Sequence, residues 1–238
     1  MTVSVILPAA GLGTRMGRGT AEKSGTSRKQ FMLLDGAPIV LHTIRKFTAL
    51  DSVGEIVVAV RPEDVEWVAE TTSRAGPKVR VVRGGDTRQQ SVENALATVD
   101  PATELVAVHD AVRPFIDADT IAKVFAEAAR SGAAIVGIVP VDTVKQVSGS
   151  SRARVRATIP RDRLVLAQTP QVFRYAVLMR AFEAARADGF TGTDESSLVE
   201  RLEEVEVAVV LGSDRNIKIT TPGDMELARL FLAQEGKA

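Results

Sequence analysis

A short apolar run, Val3-Ser4-Val5-Ile6-Leu7, passes directly into Pro8-Ala9-Ala10-Gly11-Leu12-Gly13-Thr14-Arg15-Met16. This junction constrains the chain more than any other stretch. The run has the length and apolar content of a buried strand. The small side chains and glycines after it let backbone N–H groups come close to a ligand, and successive N–H groups form a concave anion site. Arg15 lies within the turn and Lys29 follows downstream. Two cations at one anion site suit a polyphosphate better than a lone carboxylate. The expectation is a cradle for a nucleoside triphosphate, against the plain alternative of a tight turn with no ligand.

Other phosphate loops fit less well. A dinucleotide-binding G-x-G-x-x-G would place its third glycine where Met16 stands, and Gly17 comes one residue too late. The acidic residue expected about 20 positions on should end a second strand. The nearest candidate, Asp35, instead sits in Asp35-Gly36, a hairpin-turn pair. No Gly-Lys-Ser/Thr triplet closes a Walker-type loop.

Length and charge narrow the class further. A chain of 238 residues, 45% of them hydrophobic, suits one α/β domain with a packed core and little disorder. Its 30 basic and 30 acidic residues cancel, so no overall field favours nucleic acid or an anionic membrane. The absence of cysteine excludes disulfides, thiolate metal sites and cysteine nucleophiles. His42 and His109 are too few for a histidine-built metal site. No charged leader precedes an apolar segment, and no apolar run approaches the ~20 residues that span a bilayer. The expectation is a cytoplasmic protein binding neither nucleic acid nor membrane.

Along the chain, residues 17–27 are rich in Gly, Ser and Thr and read as a loop beside the phosphate site, ended by Arg28-Lys29-Gln30. Two short strands flank Asp35-Gly36, and a helix begins near Pro38 with Leu41, Ile44 and Phe47 on its core face. Residues 55–60 read as a strand buried on both faces. A helix over 63–74 follows, with Val65, Val68 and Ala69 inward. Strand 79–82 leads into Gly84-Gly85-Asp86, where Asp86 is placed to cap a helix over 87–98. Strand 105–108 ends in His109-Asp110-Ala111-Val112-Arg113-Pro114. There a carboxylate at a strand's carboxyl end could meet a ribose or Mg²⁺, or simply pair with Arg113. His109 reads equally as a satisfied core histidine and receives no catalytic role.

A helix over 118–130, capped by Asp117, and a strand over 133–139 come next. Residues 141–160 differ in character. Beyond the turn Ser148-Gly149-Ser150-Ser151, small and apolar residues alternate with Arg152, Arg154, Arg156 and Thr158. This pattern predicts a β-hairpin arm, which has no core of its own and is commonly held by a partner subunit. Residues 164–170 return to the sheet. Helices over 175–188 and 195–203, a strand over 205–211, and a last helix capped by Thr221 with Pro222 at its first position complete the chain. The whole predicts an open, mostly parallel, Rossmann-like α/β sheet with helices on both faces, plus the arm. The candidate residues fall after successive strands, along one edge of that sheet.

Several segments together resemble the 2-C-methyl-D-erythritol 4-phosphate cytidylyltransferase family. They are Pro8-Ala9-Ala10-Gly11-x-Gly13-x-Arg15-Met16, Lys29-Gln30, Gly84-Gly85-Asp86-x-Arg88-x-x-Ser91-Val92 and His109-Asp110-Ala111-x-Arg113-Pro114. Further on come Pro140-Val141-Asp142-Thr143-x-Lys145, Thr169-Pro170-Gln171-x-Phe173, Thr193-Asp194-Glu195 and Asn216-Ile217-Lys218. The opening loop alone is shared by many sugar nucleotidyltransferases; the combination, in family order over nearly the whole chain, is not. The resemblance implies transfer of CMP from CTP to the phosphate of 2-C-methyl-D-erythritol 4-phosphate, with Mg²⁺ and release of pyrophosphate, in isoprenoid biosynthesis.

By the same resemblance Ala10, Gly11, Gly13, Arg15, Lys29 and Lys218 would hold the triphosphate. Gly85, Asp86, Arg88 and Ser91 would lie at the nucleotide, with Pro8, Ala9, Asp110 and Ala111 around the ribose. The acceptor would meet Asp110, Arg113, Thr143, Arg161, Thr169 and Thr193, some from a partner's arm in a homodimer. Arg15, Lys29, Lys218 and Arg161 would carry catalysis, and Asp110 is the one candidate protein ligand for the metal. One departure stands out: the family usually has proline before the lysine and a shorter loop, whereas Arg28 precedes Lys29 here. The competing functions are a cytidylyltransferase for another polyol phosphate such as ribitol 5-phosphate, a non-catalytic nucleotide-binding regulator, and a dinucleotide-dependent oxidoreductase.

Overall fold

The computed structural model describes residues 1–11, 28–76, 78–149 and 153–235. Its strands are β1 (Val3–Pro8), β2 (Leu33–Leu34), β3 (Ala37–Pro38), β4 (Val53–Val60), β5 (Val79–Arg83) and β6 (Leu105–Val108). After these come β7 (Ala133–Ile138), β8 (Val144–Val147), β9 (Val155–Ile159), β10 (Leu166–Arg174) and β11 (Ala208–Leu211). The helices are α1 (Ile39–Thr48), α2 (Val65–Thr72), α3 (Arg88–Leu96), α4 (Ala118–Ser131), α5 (Tyr175–Ala187), α6 (Glu195–Glu200) and α7 (Pro222–Glu235). Among the described residues, seven strands form one sheet in the order β11-β7-β10-β6-β1-β4-β5. Only β10 runs antiparallel to its neighbours, β6 and β7; the other pairings are parallel.

The period of two along each strand sorts side chains onto two faces. Val3, Val5 and Leu7 of β1 pack with Val40, Ile44 and Phe47 of α1, Val68 of α2, and Ile121, Val124, Phe125 and Ala128 of α4. Ile6 points the other way, with Val92, Ala95 and Leu96 of α3 and Leu178, Ala181 and Phe182 of α5. Both faces being covered, β1 and β6 are apolar along most of their length. The helix termini are sequence-coded. Asp117 accepts from the Thr120 N–H at 2.7 Å, and Gly132 ends α4 in the left-handed region at φ 95°. Asp35 and Gly36, at φ 49° and 77°, form the hairpin turn joining β2 to β3.

The chain leaves β1 for β4 and β5 on one side and returns to β6 on the other. This reversal opens a crevice at the carboxyl ends of β1 and β6, the usual ligand position in open α/β sheets. Because β10 is antiparallel, its amino-terminal half, with Gln168 and Thr169, reaches the same edge.

Several local expectations are corrected. Thr87, not Asp86, caps α3, accepting from the Gln90 N–H at 3.1 Å, and the helix stops at Leu96. The expected helix over 63–74 is α2 alone, flanked by 3₁₀ turns Pro62–Asp64 and Ser73–Ala75, with Thr72 rather than Ala69 inward. The helix beginning at Glu195 ends by Glu200, and the strand before residue 211 begins at Ala208. The arm is present as the pair β8–β9, and it pairs with no other strand among the described residues. Val155 is 63% exposed and Val147 46%, so these two apolar side chains of the arm are not covered by the described residues. Ser150, Ser151 and Arg152 of its turn lie outside the described residues. Among those described, no helix is long and apolar enough to cross a membrane.

Candidate active site

The first residues after β1, Ala9 to Gly11, are held by Gln30. This residue is 2% exposed, and its Nε2 donates to the carbonyls of Ala9 at 2.6 Å and Gly11 at 3.1 Å. Gln30 sits in the 3₁₀ turn Lys29–Phe31, so the side chain that fixes the loop and the lysine beside the cleft share one turn. That turn is docked on the far side by Arg28, which pairs with Glu63 at 2.8 Å and with Asp64, and by the edge-on contact of Phe31 with Trp67 at 5.0 Å.

From the opposite wall comes the segment between β5 and α3. A Cβ on Gly84 would lie 2.9 Å from both the Ala10 Cβ and the Ser91 Oγ, so glycine there lets the two walls meet. Ser91 Oγ donates to the Thr87 carbonyl at 2.8 Å, lies 3.3 Å from the Gly85 carbonyl, and accepts from the Gly85 N–H at 3.1 Å. These contacts fold the Gly85-Asp86 backbone around the start of α3. Pro8, Ala9, Ala10, Gly11, Lys29, Gly85, Asp86, Arg88, Ser91, Asp110, Ala111 and Lys218 all line one cleft.

Asp110 is the electrostatic centre. Its carboxylate is 3.5 Å from the Arg88 Nε, 3.2 Å from the Arg113 Nε and 2.9 Å from the Lys218 Nζ. Burial pushes the carboxyl up, but Lys218, Arg88 and Arg113 outweigh it and hold Asp110 well below the usual carboxylate range. Arg88 reaches on to Glu195, which is 1% exposed, donating from Nη1 to both carboxylate oxygens at 2.7 and 2.9 Å. Burial pushes Glu195 up, while the Arg88 guanidinium pulls against it. Two buried carboxylates thus face three cations, a positive surplus suited to an anionic ligand. Lys218 is brought here by its neighbours: Arg113 Nη1 donates to the Asn216 carbonyl at 2.7 Å, and the Ile219 N–H to Val112 at 3.0 Å.

Behind Asp110, protonation can be assigned from hydrogen bonding. His109 is fully buried, with Nε2 3.0 Å from the Arg113 carbonyl and Nδ1 3.1 Å from the Thr169 hydroxyl. A carbonyl only accepts, so Nε2 carries the proton and Nδ1 accepts from Thr169. Thr169 Oγ1 in turn accepts the Asp110 N–H at 3.0 Å. Burial lowers the His109 pKa to about 4, consistent with this neutral tautomer.

A family model described as 2-C-methyl-D-erythritol 4-phosphate cytidylyltransferase matches residues 3–234. The chain belongs to this family. It is a cytidylyltransferase, an enzyme of the nucleotidyltransferase class. Proteins of that name from Solibacter usitatus and Acidobacterium capsulatum are 68% and 54% identical to it; the first alignment covers 99% of this chain and 97% of the relative, the second 98% of each. Among solved structures, a 4-diphosphocytidyl-2C-methyl-D-erythritol synthase from Anaerococcus prevotii is similar with a TM-score of 0.83 at 29% identity, covering 98% of each chain. The 2-C-methyl-D-erythritol 4-phosphate cytidylyltransferase of Thermus thermophilus is similar with a TM-score of 0.78 at 32% identity, covering 98% of this chain and all of that one.

For a cytidylyltransferase of this family, the distribution of the candidate residues is informative. Those expected at the nucleotide share the cleft, apart from Gly13 and Arg15, which lie outside the described residues. Arg113 and Thr169 are buried behind Asp110, where their polar atoms orient it. Thr143 and Thr193 are exposed and stand apart from the cleft lining, Thr143 just before β8 and Thr193 just before α6. Arg161 opens the 3₁₀ turn after β9 and bonds to the Val141 carbonyl. Sequence reasoning gave no role to Gln30, Glu195 or Asn216, although all three stand in motifs that carry the resemblance. Asn216 is fully buried and donates to Gln168 Oε1 at 2.9 Å and the Thr169 carbonyl at 3.0 Å. Their signal was polar side chains inside motifs, but the partners are remote in sequence.

Proposed function

We propose that the cleft binds CTP and transfers its CMP to the phosphate of 2-C-methyl-D-erythritol 4-phosphate, forming 4-diphosphocytidyl-2-C-methyl-D-erythritol and pyrophosphate. The observation that carries this reading is the convergence of the β1 loop, the Gly85–Ser91 backbone, Lys29, Lys218 and Asp110 on a single positive cleft. A substrate phosphate oxygen is already a nucleophile, so attack on the α-phosphorus needs positioning and fixed positive charge more than a base. His109, buried and neutral with both ring nitrogens engaged, is organised as a support and not as a proton acceptor.

In this assignment Arg15 and Lys29 stabilise the charge growing on the α-phosphoryl oxygens and pyrophosphate. Lys218 leaves Asp110 to meet the triphosphate. Gly85, Asp86 and Ser91 address the cytosine, and Asp110 the ribose. Mg²⁺ fits the donor set modestly. Asp110 Oδ1 faces the Arg88 Nε at 3.5 Å, and no cluster of three His, Asp or Glu side chains that could hold a metal exists among the described residues. Asp110 Oδ1 together with phosphate oxygens would hold the ion, which supplies positive charge at the triphosphate.

Thr143 and Arg161 would serve the acceptor phosphate across a homodimer built on the arm, a reading supported by the arm's uncovered Val147 and Val155. We place the enzyme in the cytoplasm on the sequence reading alone. The decisive experiment is pyrophosphate release with CTP and Mg²⁺, offering methylerythritol 4-phosphate and ribitol 5-phosphate in parallel. Release with the first only is expected; release with the second only would move the acceptor, and release with neither despite CTP binding would overturn both acceptor assignments.

A further inference from the structure

The segment joining α5 to α6 carries Thr193, the exposed residue that the proposed function sets against the acceptor. Two neighbouring side chains of α3 reach this segment. The Gln89 amide is used in both senses: Nε2 donates to the Phe190 carbonyl at 3.1 Å, and Oε1 accepts the Gly192 N–H at 2.9 Å. Arg88 grips Glu195, on the other side of Thr193, at 2.7 and 2.9 Å. The same helix start carries the Gly85–Ser91 contacts that shape the nucleotide wall.

We infer that Gln89 and Glu195 are positioning residues that tie the acceptor segment to the nucleotide-binding helix, so that acceptor and CTP are held in register. The inference rests on the proposed acceptor role of Thr193. Neither positioning residue need touch a substrate. The segment has little slack, since a Cβ on Gly192 would lie 2.4 Å from the Ser197 Oγ and 2.8 Å from the Leu198 Cδ2. The pair is part-buried, with Glu195 enclosed and the Arg88 side chain 31% exposed, and its two-oxygen contact sets the direction in which Arg88 points. The Glu195–Arg88 pair therefore suits a positioning task. It also restrains Arg88, whose Nε faces Asp110 at 3.5 Å.

The test is steady-state kinetics of full-length variants, with CTP and methylerythritol 4-phosphate varied separately. Gln89→Leu cuts one tie without leaving a buried charge alone, and Glu195→Gln removes the charge from the other. Both are expected to raise the KM for the acceptor at least ~10-fold, because a displaced segment loses its ground-state contacts with the bound acceptor. The KM for CTP should rise much less than that for the acceptor, and Glu195→Asp should recover most of the loss. Equal rises in both KM values, or no rise in either, would overturn the inference. Thr193→Ala is the reference. If it raises the acceptor KM while Gln89→Leu and Glu195→Gln do not, the ties are only structural. If Thr193→Ala has no effect, the segment does not meet the acceptor, and the underlying reading falls together with the inference.

Discussion

At the scale of single residues, the site separates charges that meet the ligand from polar groups that hold them. On the proposed assignment Lys29, which lines the cleft, belongs to the first kind. Lys29→Ala should lower kcat by on the order of 10²–10³ in the pyrophosphate-release assay, the cost of losing one donor aimed at developing charge. Gln30 belongs to the second. Gln30→Leu leaves the Ala9 and Gly11 carbonyls without their donor, and should raise the KM for CTP with a smaller change in kcat. His109 gives a pH signature. Its folded pKa of about 4 lies below the ordinary 6.5, so the unfolded chain binds a proton that the fold refuses. The resulting stability is complete above pH 6.5 and is lost as pH falls toward 4, with a total on the order of 3 kcal/mol. Denaturant titrations at pH 7 and pH 4.5 should show this loss, and His109→Gln should flatten it. Asp110, held low by its cations, keeps its contribution through that window and loses it only in stronger acid.

At the scale of elements, the junction of β5 and α3 shows how capping and ligand roles are divided. In sequence, Asp86 stands immediately before a helix expected over 87–98, which is the position of a cap. The cap is Thr87, which leaves the exposed Asp86 carboxylate in the cleft wall. Thr87→Ala should therefore cost about 1 kcal/mol of stability. Asp86→Ala should leave the melting temperature unchanged while weakening CTP binding in a titration. Helices with several inward apolar residues, such as α1 and α4, were legible because periodicity alone marks their buried face. The stretch over 63–74 was not. Its 3₁₀ ends and the inward turn of Thr72, which donates to the Val68 carbonyl at 2.8 Å, depend on packing that no local pattern records.

At the scale of the whole molecule, the arm is the part that the chain does not complete. An isolated two-stranded hairpin is marginal in water, and β8–β9 keeps Val147 and Val155 exposed. A second copy covering these residues predicts a dimer in sedimentation. The double variant Val147→Asp, Val155→Asp should shift it to monomer and reduce activity in step, because Thr143 and Arg161 would then lose their place in a shared site. A monomeric wild-type enzyme with full activity would remove the shared site.

Sequence alone determined the alternation of strands and helices and the passage from β1 into the small residues Ala9, Ala10 and Gly11 at the cleft. These are local properties, carried by side-chain period and by the conformational freedom of glycine. Tertiary structure alone decided which distant side chains meet. The antiparallel entry of β10 brings Thr169 to Asp110, the 216–219 segment delivers Lys218 to the same carboxylate, and α3 hands Arg88 to Glu195. Such pairings span 59 to 108 positions in the chain. They are set by sheet order and burial, which oblige each buried polar group to find a partner wherever the fold places one.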